Sequence, residues 1–142
     1  MILLDTSVVT QTMRPPGHPA VRAWLNAQTP ESLFICAPVL AEIRFGVENH
    51  PEGKTRRALA LAADRIEHEF FVGRIFAFDA PAAHAFGAFR ARRKREGRPV
   101  APIDLMIAAI AATRGLALAT RNMADFARLG LDLVDPFAEP GP

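Results

Sequence analysis

Short runs of apolar residues, separated by segments of helix length, form the dominant pattern of this chain. The runs are rich in Ile, Leu, Val or Phe and lie at residues 2–4, 33–36, 75–78, 116–119 and 133–134. Runs of this length are typical of strands that are buried on both faces of a sheet. Because helical segments separate them, they predict an α/β fold. We expect a three-layer α/β/α sandwich around a mainly parallel central sheet.

Prolines, capping residues and a terminal glycine delimit the predicted helices. The turn RPPGHP precedes the first helix, and Gly115 ends the last one. The predicted helices cover about residues 18–27, 38–49 and 53–70, a segment from 79 into a basic run, and residues 102–114. Each predicted helix therefore lies between two predicted strands, as a parallel sheet requires.

Composition limits the kind of protein that these elements can form. The chain has 142 residues, of which 50% are hydrophobic and 23% are charged, as in an ordinary globular domain. We expect a single domain over residues 1–137 and a frayed C-terminal tail over 138–142. The single cysteine, Cys36, excludes an intrachain disulfide. Since no apolar stretch approaches the roughly 20 residues that span a bilayer, and the N-terminus lacks a secretory signal pattern, we expect a soluble, cytoplasmic protein.

Acidic residues occupy distinctive places in three of the predicted elements. Asp5 directly follows the first strand. Glu42 lies on the apolar face of the helix that starts at Pro38, where a carboxylate is costly unless something pairs with it. Asp104 is the only acid in the helix over 102–114, which is apolar nearly all round.

Chain direction brings these acids to one edge of the predicted sheet. The carboxyl ends of parallel strands and the N-terminal ends of the connecting helices lie at the same edge. Asp5, Glu42 and Asp104 are therefore expected to converge there, and the fourth strand delivers Asp125 to the same place. The hydrogen-bonding neighbours expected at this edge are Thr6, Ser7, Thr120 and Asn122.

Four carboxylates at one edge predict a cation. They repel one another, so that without a cation at least one of them should hold a proton. Hard oxygen ligands of this kind suit Mg²⁺ or Mn²⁺. Such cations can activate a water and stabilise the leaving oxygen in phosphodiester hydrolysis. The pattern therefore predicts a metal-dependent enzyme with a phosphate substrate.

Each acid also has a purely structural interpretation. Asp5 could form an Asx-turn, Asp104 could interact with the dipole of its own helix, and Asp125 could complete a weak capping box with Asn122. Glu42 has the weakest such explanation, because it interrupts an apolar stripe. A shared site is favoured over four coincident explanations at one edge. The four histidines show neither the spacing nor the cysteine partners of a zinc site.

A basic segment, FRARRKREGRP, stands out against a net charge of only +2. Arg90, Arg92, Arg93 and Arg95 lie close together in it and are candidate contacts for phosphate groups of a substrate. The alternative is a solvated helix end whose cations offset the helix dipole. Composition alone does not decide between the two.

Four motifs, ILLDTSVV, LAEIRFGVE, IDLMIAAIA and LATRNMADF, stand in the order and spacing of a PIN domain. The resemblance covers almost the whole chain and is greatest to the VapC or FitB-like toxins of bacterial toxin–antitoxin pairs. It implies a PIN-like fold and a Mg²⁺- or Mn²⁺-dependent endoribonuclease that a cognate antitoxin inhibits. It further implies that toxin and antitoxin together bind their own operator DNA, and that the chain forms a homodimer.

The resemblance also assigns roles to particular residues. By position, the acidic metal-binding set corresponds to Asp5, Glu42, Asp104 and Asp125, and the supporting hydroxyls to Thr6 and Thr120. The chain departs from the pattern at Ser7, where related toxins often carry Asn. It departs again at Gln11, where they often carry Glu, so the choice between one and two metal ions stays open.

A second function, from another class, is compatible with the same fold. A PIN module with little nuclease activity could act mainly by dimerising and by holding an antitoxin on operator DNA. The apolar helix that bears Ile107 and Ile110 could face either the core or a partner subunit, so the sequence leaves the surface for such an assembly undefined.

Overall fold

The computed structural model describes residues 1–139 and shows a five-stranded parallel sheet flanked by helices. The strands are β1 (Ile2–Leu4), β2 (Leu33–Cys36), β3 (Ile75–Phe76), β4 (Ala117–Ala119) and β5 (Leu133–Val134). They are ordered β3-β2-β1-β4-β5, and every neighbouring pair is parallel. The predicted α/β fold with a parallel sheet is confirmed.

Seven α-helices connect and flank these strands in the described part of the chain. They are α1 (Thr6–Met13), α2 (Pro19–Asn26), α3 (Ala37–Asn49), α4 (Lys54–Arg65), α5 (Ala80–Arg95), α6 (Pro102–Arg114) and α7 (Met123–Phe126). A single 3-10 turn, Pro30–Ser32, precedes β2, and a π-helical turn, Ile66–Phe70, extends α4. Among residues 1–139, no helix combines the length and apolarity needed to cross a membrane.

The core lies on the central strand and on the helix that packs beside it. Leu3 of β1 and Leu118 of β4 are fully buried, and Leu3 pairs in register with Leu118. In α6, Ile107 and Ile110 are also buried within the chain itself. The apolar character of this helix is thus explained by the protein's own core, and the predicted homodimer stays a prediction.

Helix α1 was not predicted, because its sequence, TSVVTQTM, is rich in β-branched residues with low helix propensity. A local cap and burial in the core compensate for this. Asp5 adopts an extended N-cap conformation, and its carboxylate accepts a hydrogen bond from the Thr6 amide at 2.8 Å. Val8 and Val9 are buried in the core. Capping and burial therefore outweigh the local preference of the chain.

The other differences from the predicted elements concern their ends. The third strand ends at Phe76 rather than at residue 78, and the helix predicted over 53–70 changes to π-helical geometry after Arg65. Ala138, in the predicted tail, donates its amide to the Asp135 carbonyl at 3.3 Å. The rest of that tail from residue 140 onwards lies outside the described residues, and the domain boundary at 137 stays a prediction.

Gly17, in the turn between α1 and α2, has a backbone that only glycine fits without strain. Its φ is +66°, and a Cβ there would lie 2.4 Å from the Gln11 carbonyl oxygen. Gly115, which ends α6, has φ +65° but no atom within 4 Å of an added Cβ.

We expect Gly17→Ala to lower the free energy of unfolding by about 2 to 4 kcal/mol, and Gly115→Ala by only about 1 kcal/mol. Urea denaturation of both variants checks this; equal losses would show that the close approach to Gln11 adds nothing.

Candidate functional site

Three carboxylates from three separate elements meet at the carboxyl edge of the sheet. Asp5 follows β1, Glu42 lies in α3 and Asp104 lies in the first turn of α6. Each offers an oxygen, and the three oxygens lie within 4.8 Å of one another. The structure therefore brings together three of the four acids that chain direction predicted to meet. We refer to Asp5, Glu42 and Asp104 as the acid cluster.

Asp5 is the most deeply held of the three, with only 2% of its surface exposed. One of its carboxylate oxygens accepts the Thr6 amide at 2.8 Å. The other accepts the Thr120 hydroxyl at 2.7 Å and the Ser7 hydroxyl at 3.0 Å. A buried carboxylate is tolerated when its oxygens are satisfied in this way. These bonds tie β1 to the end of β4 and fix the orientation of the carboxylate.

Thr6 and Thr120 connect the cluster to its surroundings. The Thr6 hydroxyl donates to Glu42 Oε1 at 2.5 Å and so joins the start of α1 to α3. The Thr120 hydroxyl, which donates to Asp5, accepts the Asn122 amide at 3.0 Å. Arg121, which the sequence analysis did not single out, also contacts these residues: its amide donates a hydrogen bond to Ser7 Oγ at 3.2 Å. This bond uses the backbone, so no side-chain pattern could have revealed it.

Asp104 is the acid of the cluster whose pKa is raised. Burial, followed by the negative charges of Asp5, Glu42 and Asp125, raises the pKa of the Asp104 carboxyl to about 6. The Asp104 carboxyl therefore keeps its proton to a higher pH than an ordinary aspartate, as expected where negative charges crowd together. Three hard carboxylate ligands in this arrangement fit a metal ion.

Asp125 belongs to the same edge of the sheet but not to the acid cluster. It lies exposed in α7, and the group of ligand oxygens found among the described residues comprises Asp5, Glu42 and Asp104 only. Its charge nevertheless contributes to the raised pKa of Asp104. The capping box considered for Asp125 is not formed, because Asn122 begins α7 without a side-chain capping bond.

Arg93 corrects one part of the sequence interpretation. Its side chain is 2% exposed, and its guanidinium donates to the carbonyl oxygens of Asp125 and Ala127 at 2.7 and 2.6 Å. A guanidinium that is buried and bonded in this way is not accessible to an RNA phosphate. Arg90, Arg92 and Arg95 are exposed on α5.

Gln11, where related toxins often carry Glu, supports a turn. Its side-chain oxygen accepts the His18 amide at 3.1 Å, at the start of α2. The group of ligand oxygens found in residues 1–139 does not include it. In this chain the side chain at position 11 therefore stabilises the turn before α2, and it lies outside the acid cluster.

The fold and the site define a class of protein, a parallel α/β domain with an acidic site at the carboxyl edge of its sheet, and comparisons with known proteins show the family. The family model described as PIN domain matches residues 2–131, and the chain belongs to this family. VapC ribonuclease Y4jK of Sinorhizobium fredii is 35% identical over 96% of this chain and 98% of its own length. Toxin FitB of Neisseria gonorrhoeae is 34% identical over 96% of this chain and 99% of its own.

Solved structures extend the similarity to the fold. A structure of FitAB bound to an IR36 DNA fragment superposes with a TM-score of 0.86 at 32% identity, covering 99% of both chains. The resemblance to VapC and FitB toxins read from the four sequence motifs is thereby confirmed.

The raised pKa of Asp104 predicts a specific pH dependence of stability. Because this pKa rises from its ordinary 3.8 to about 6, the folded metal-free protein binds more protons than the unfolded chain between those values. Stability should therefore fall as the pH rises through this interval. We expect Asp104→Asn, in EDTA at pH 7.5, to be about 1 kcal/mol more stable than the unsubstituted protein, or about 3 to 5 °C in Tm.

The gain from Asp104→Asn should shrink towards pH 4.5, where the unsubstituted carboxyl is protonated. Asp132→Asn serves as the matched control, because Asp132 is exposed and precedes β5, at the opposite edge of the sheet. Thermal unfolding of both variants at the two pH values checks this. A stability difference that does not change with pH would contradict the assigned charge repulsion.

Proposed function

We propose that this chain is a metal-dependent endoribonuclease toxin that a cognate antitoxin neutralises. The observation that carries the proposal is the convergence of Asp5, Glu42 and Asp104 on one point at the carboxyl edge of the sheet. The name of one relative, a VapC ribonuclease, supports the reaction class, and the name of another, the toxin FitB, supports the role as a toxin. We propose Mg²⁺ or Mn²⁺ as the cofactor, since both prefer hard carboxylate oxygens.

The residues of the chain would prepare the site for such a cation. Asp5 presents an oriented carboxylate because Thr120 and Ser7 hold it, and Glu42 is held by Thr6. Asp104 must be ionised to bind a cation, so binding should weaken below about pH 6. When bound, a divalent cation supplies activation of a water and stabilisation of negative charge on phosphate oxygens. We further propose that Asp125 assists by its charge.

The exposed arginines of α5 provide a surface for the substrate. Arg90, Arg92 and Arg95 are exposed, and α5 packs along α6, which carries Asp104 at its first turn. We propose that these three side chains contact the RNA backbone, since clustered cations attract phosphates. The Arg92 side chain already pairs with Glu96 at 3.1 Å, so its contribution should be the smallest of the three.

We propose a cognate antitoxin and, through it, operator DNA as macromolecular partners, with a homodimer as the assembled form and the cytoplasm as its location. The support for the antitoxin and the operator DNA is the similar FitAB structure, which is bound to a DNA fragment. That observation also favours the second candidate, a regulatory module with little nuclease activity. We favour the enzyme, because a protein acting only as a DNA-bound module has no use for three clustered carboxylates.

Cleavage by antitoxin-free protein tests the proposal. We expect it to cut a mixed pool of structured RNA with Mg²⁺ or Mn²⁺ and to be inactive in EDTA. Asp5→Asn and Asp104→Asn should each lower the cleavage rate at least about 100-fold, because each removes a ligand charge from the cation. Gel analysis of the cleaved RNA gives the rates.

Asp132→Asn is again the matched control and should cut at the unsubstituted rate. Cutting that persists in EDTA, or in both Asp5→Asn and Asp104→Asn, would place the activity elsewhere. Absence of cutting under every condition, together with tight operator binding by the antitoxin complex, would favour the regulatory module.

The arginine surface makes a separate prediction about salt. In an Asp5→Asn background, replacing Arg90, Arg92 and Arg95 by Gln should weaken RNA binding at low salt. The salt dependence of log K should become shallower by up to about 2, since each single-strand phosphate contact contributes about 0.7. Filter binding across a salt series measures both quantities.

The matched control for this charge change replaces three exposed arginines elsewhere by Gln, namely Arg22, Arg57 and Arg65. It should leave the slope nearly unchanged. If the control reduces the slope as strongly as the α5 triple variant, the attraction is a general effect of net charge and α5 is only a solvated face.

A further inference from the structure

Arg93 is a buried cation with few partners of opposite charge. Only 2% of its side chain is exposed, and its one carboxylate partner among the described residues, Glu96, lies 3.5 Å away. The Nε atom is buried and has no hydrogen-bond acceptor in residues 1–139. A buried charge is costly unless hydrogen bonds satisfy it, so the two short bonds that Arg93 donates to carbonyl oxygens contribute much of what keeps its guanidinium stable in the interior.

Both of these bonds reach the C-terminal end of α7, the helix that carries Asp125. One guanidinium nitrogen, Nη2, donates to the carbonyl oxygens of Asp125 and Ala127 at 2.7 and 2.6 Å. The last carbonyls of a helix have no partner within the helix, and α7 is only four residues long. Arg128 then follows with a φ of +63°, so the chain leaves the helix abruptly. Arg93 supplies the donor that this helix end needs.

The other end of α7 is bonded to the acid cluster. The Asn122 amide donates to the Thr120 hydroxyl at 3.0 Å, and that hydroxyl donates to Asp5 at 2.7 Å. The short helix is thus held at its start through Asp5 and at its end by Arg93. Phe126, fully buried, anchors the same turn in the core. Asp125 lies between these attachments, and its place relative to the cluster depends on them.

We propose that Arg93 is a positioning residue, which holds α7 so that the exposed carboxylate of Asp125 stays beside the acid cluster and strengthens cation binding there. This inference rests on the proposed metal-dependent function. Arg93 itself touches neither substrate nor cation. It acts through the carbonyls of Asp125 and Ala127, from a different helix and 32 residues away in the chain.

Loss of the Arg93 charge and loss of its positioning contact should change the affinity for a divalent cation in opposite directions. The direction of the measured change therefore distinguishes the two effects. Removal of a cation near a site should tighten binding of a divalent cation, since repulsion is relieved. Loss of a positioning contact should instead weaken it. Arg98 is an exposed arginine close by in the chain and outside every proposed contact, so Arg98→Met provides the matched loss of charge.

Calorimetric titration of the full chain with Mn²⁺ alone tests the inference. We expect Arg93→Met to raise the Kd for Mn²⁺ about tenfold, and Arg93→Lys, which keeps the charge but loses the forked geometry, to raise it by a smaller factor. Arg98→Met should leave the Kd unchanged or slightly lower. If Arg93→Met does not fold, Arg93→Lys carries the test.

A double-mutant cycle separates positioning from a general structural role. In an Asp125→Asn background, Arg93→Lys should no longer change the Kd for Mn²⁺, although it should still lower the Tm. An equal change of Kd in both backgrounds would overturn the inference, as would Arg93 variants that behave like Arg98→Met. If the unsubstituted protein binds no Mn²⁺, both the proposed function and this inference are wrong. If the unsubstituted protein binds Mn²⁺ and the Arg93 variants bind it with the same Kd, only this inference is wrong.

Discussion

Mutual repulsion of carboxylates gathered within 4.8 Å of one another is the constraint to which the rest of this site is adapted. The parallel sheet offsets part of this repulsion, because it directs the N-termini of helices to the edge where the carboxylates lie. Asp5 is the N-cap of α1, and Asp104 lies in the first turn of α6. Both carboxylates therefore lie at the positive end of a helix dipole, which favours negative charge. The topology that gathers the acids also supplies part of the field that stabilises them.

Hydroxyl groups complete this arrangement at close range. Thr6, Ser7 and Thr120 donate to Asp5 or Glu42, and each of them sits at the end of a strand or the start of a helix. Two carboxylates are oriented by these bonds, whereas Asp104 keeps a raised pKa. Repulsion among the carboxylates therefore persists in spite of these bonds. Functional sites commonly carry such a cost, because groups arranged for a ligand are poorly arranged without it.

The basic segment of α5 shows how helical periodicity separates residues of the same type. Arg93 continues a stripe formed by Ala82, Phe86 and Phe89, which are buried or half-buried against the core. Its neighbours Arg92 and Lys94 point away from that stripe and are exposed. The helical spacing therefore places Arg93 on the buried face of α5. Clustered charge predicts a solvated surface instead, and the sequence analysis followed the charge.

The sequence alone determined the strands, most of the helices and the edge at which Asp5, Glu42 and Asp104 meet. Side-chain period and chain direction are local properties, and together they decide which residues of a parallel sheet share an edge. Helix α1 was missed because its β-branched residues disfavour a helix locally, and the burial of Val8 and Val9 that outweighs this preference exists only once the core has formed. Tertiary structure alone decided that Asp125 lies outside the acid cluster and that Arg93 holds its helix, because distances between elements depend on packing across the whole fold, which no local pattern encodes.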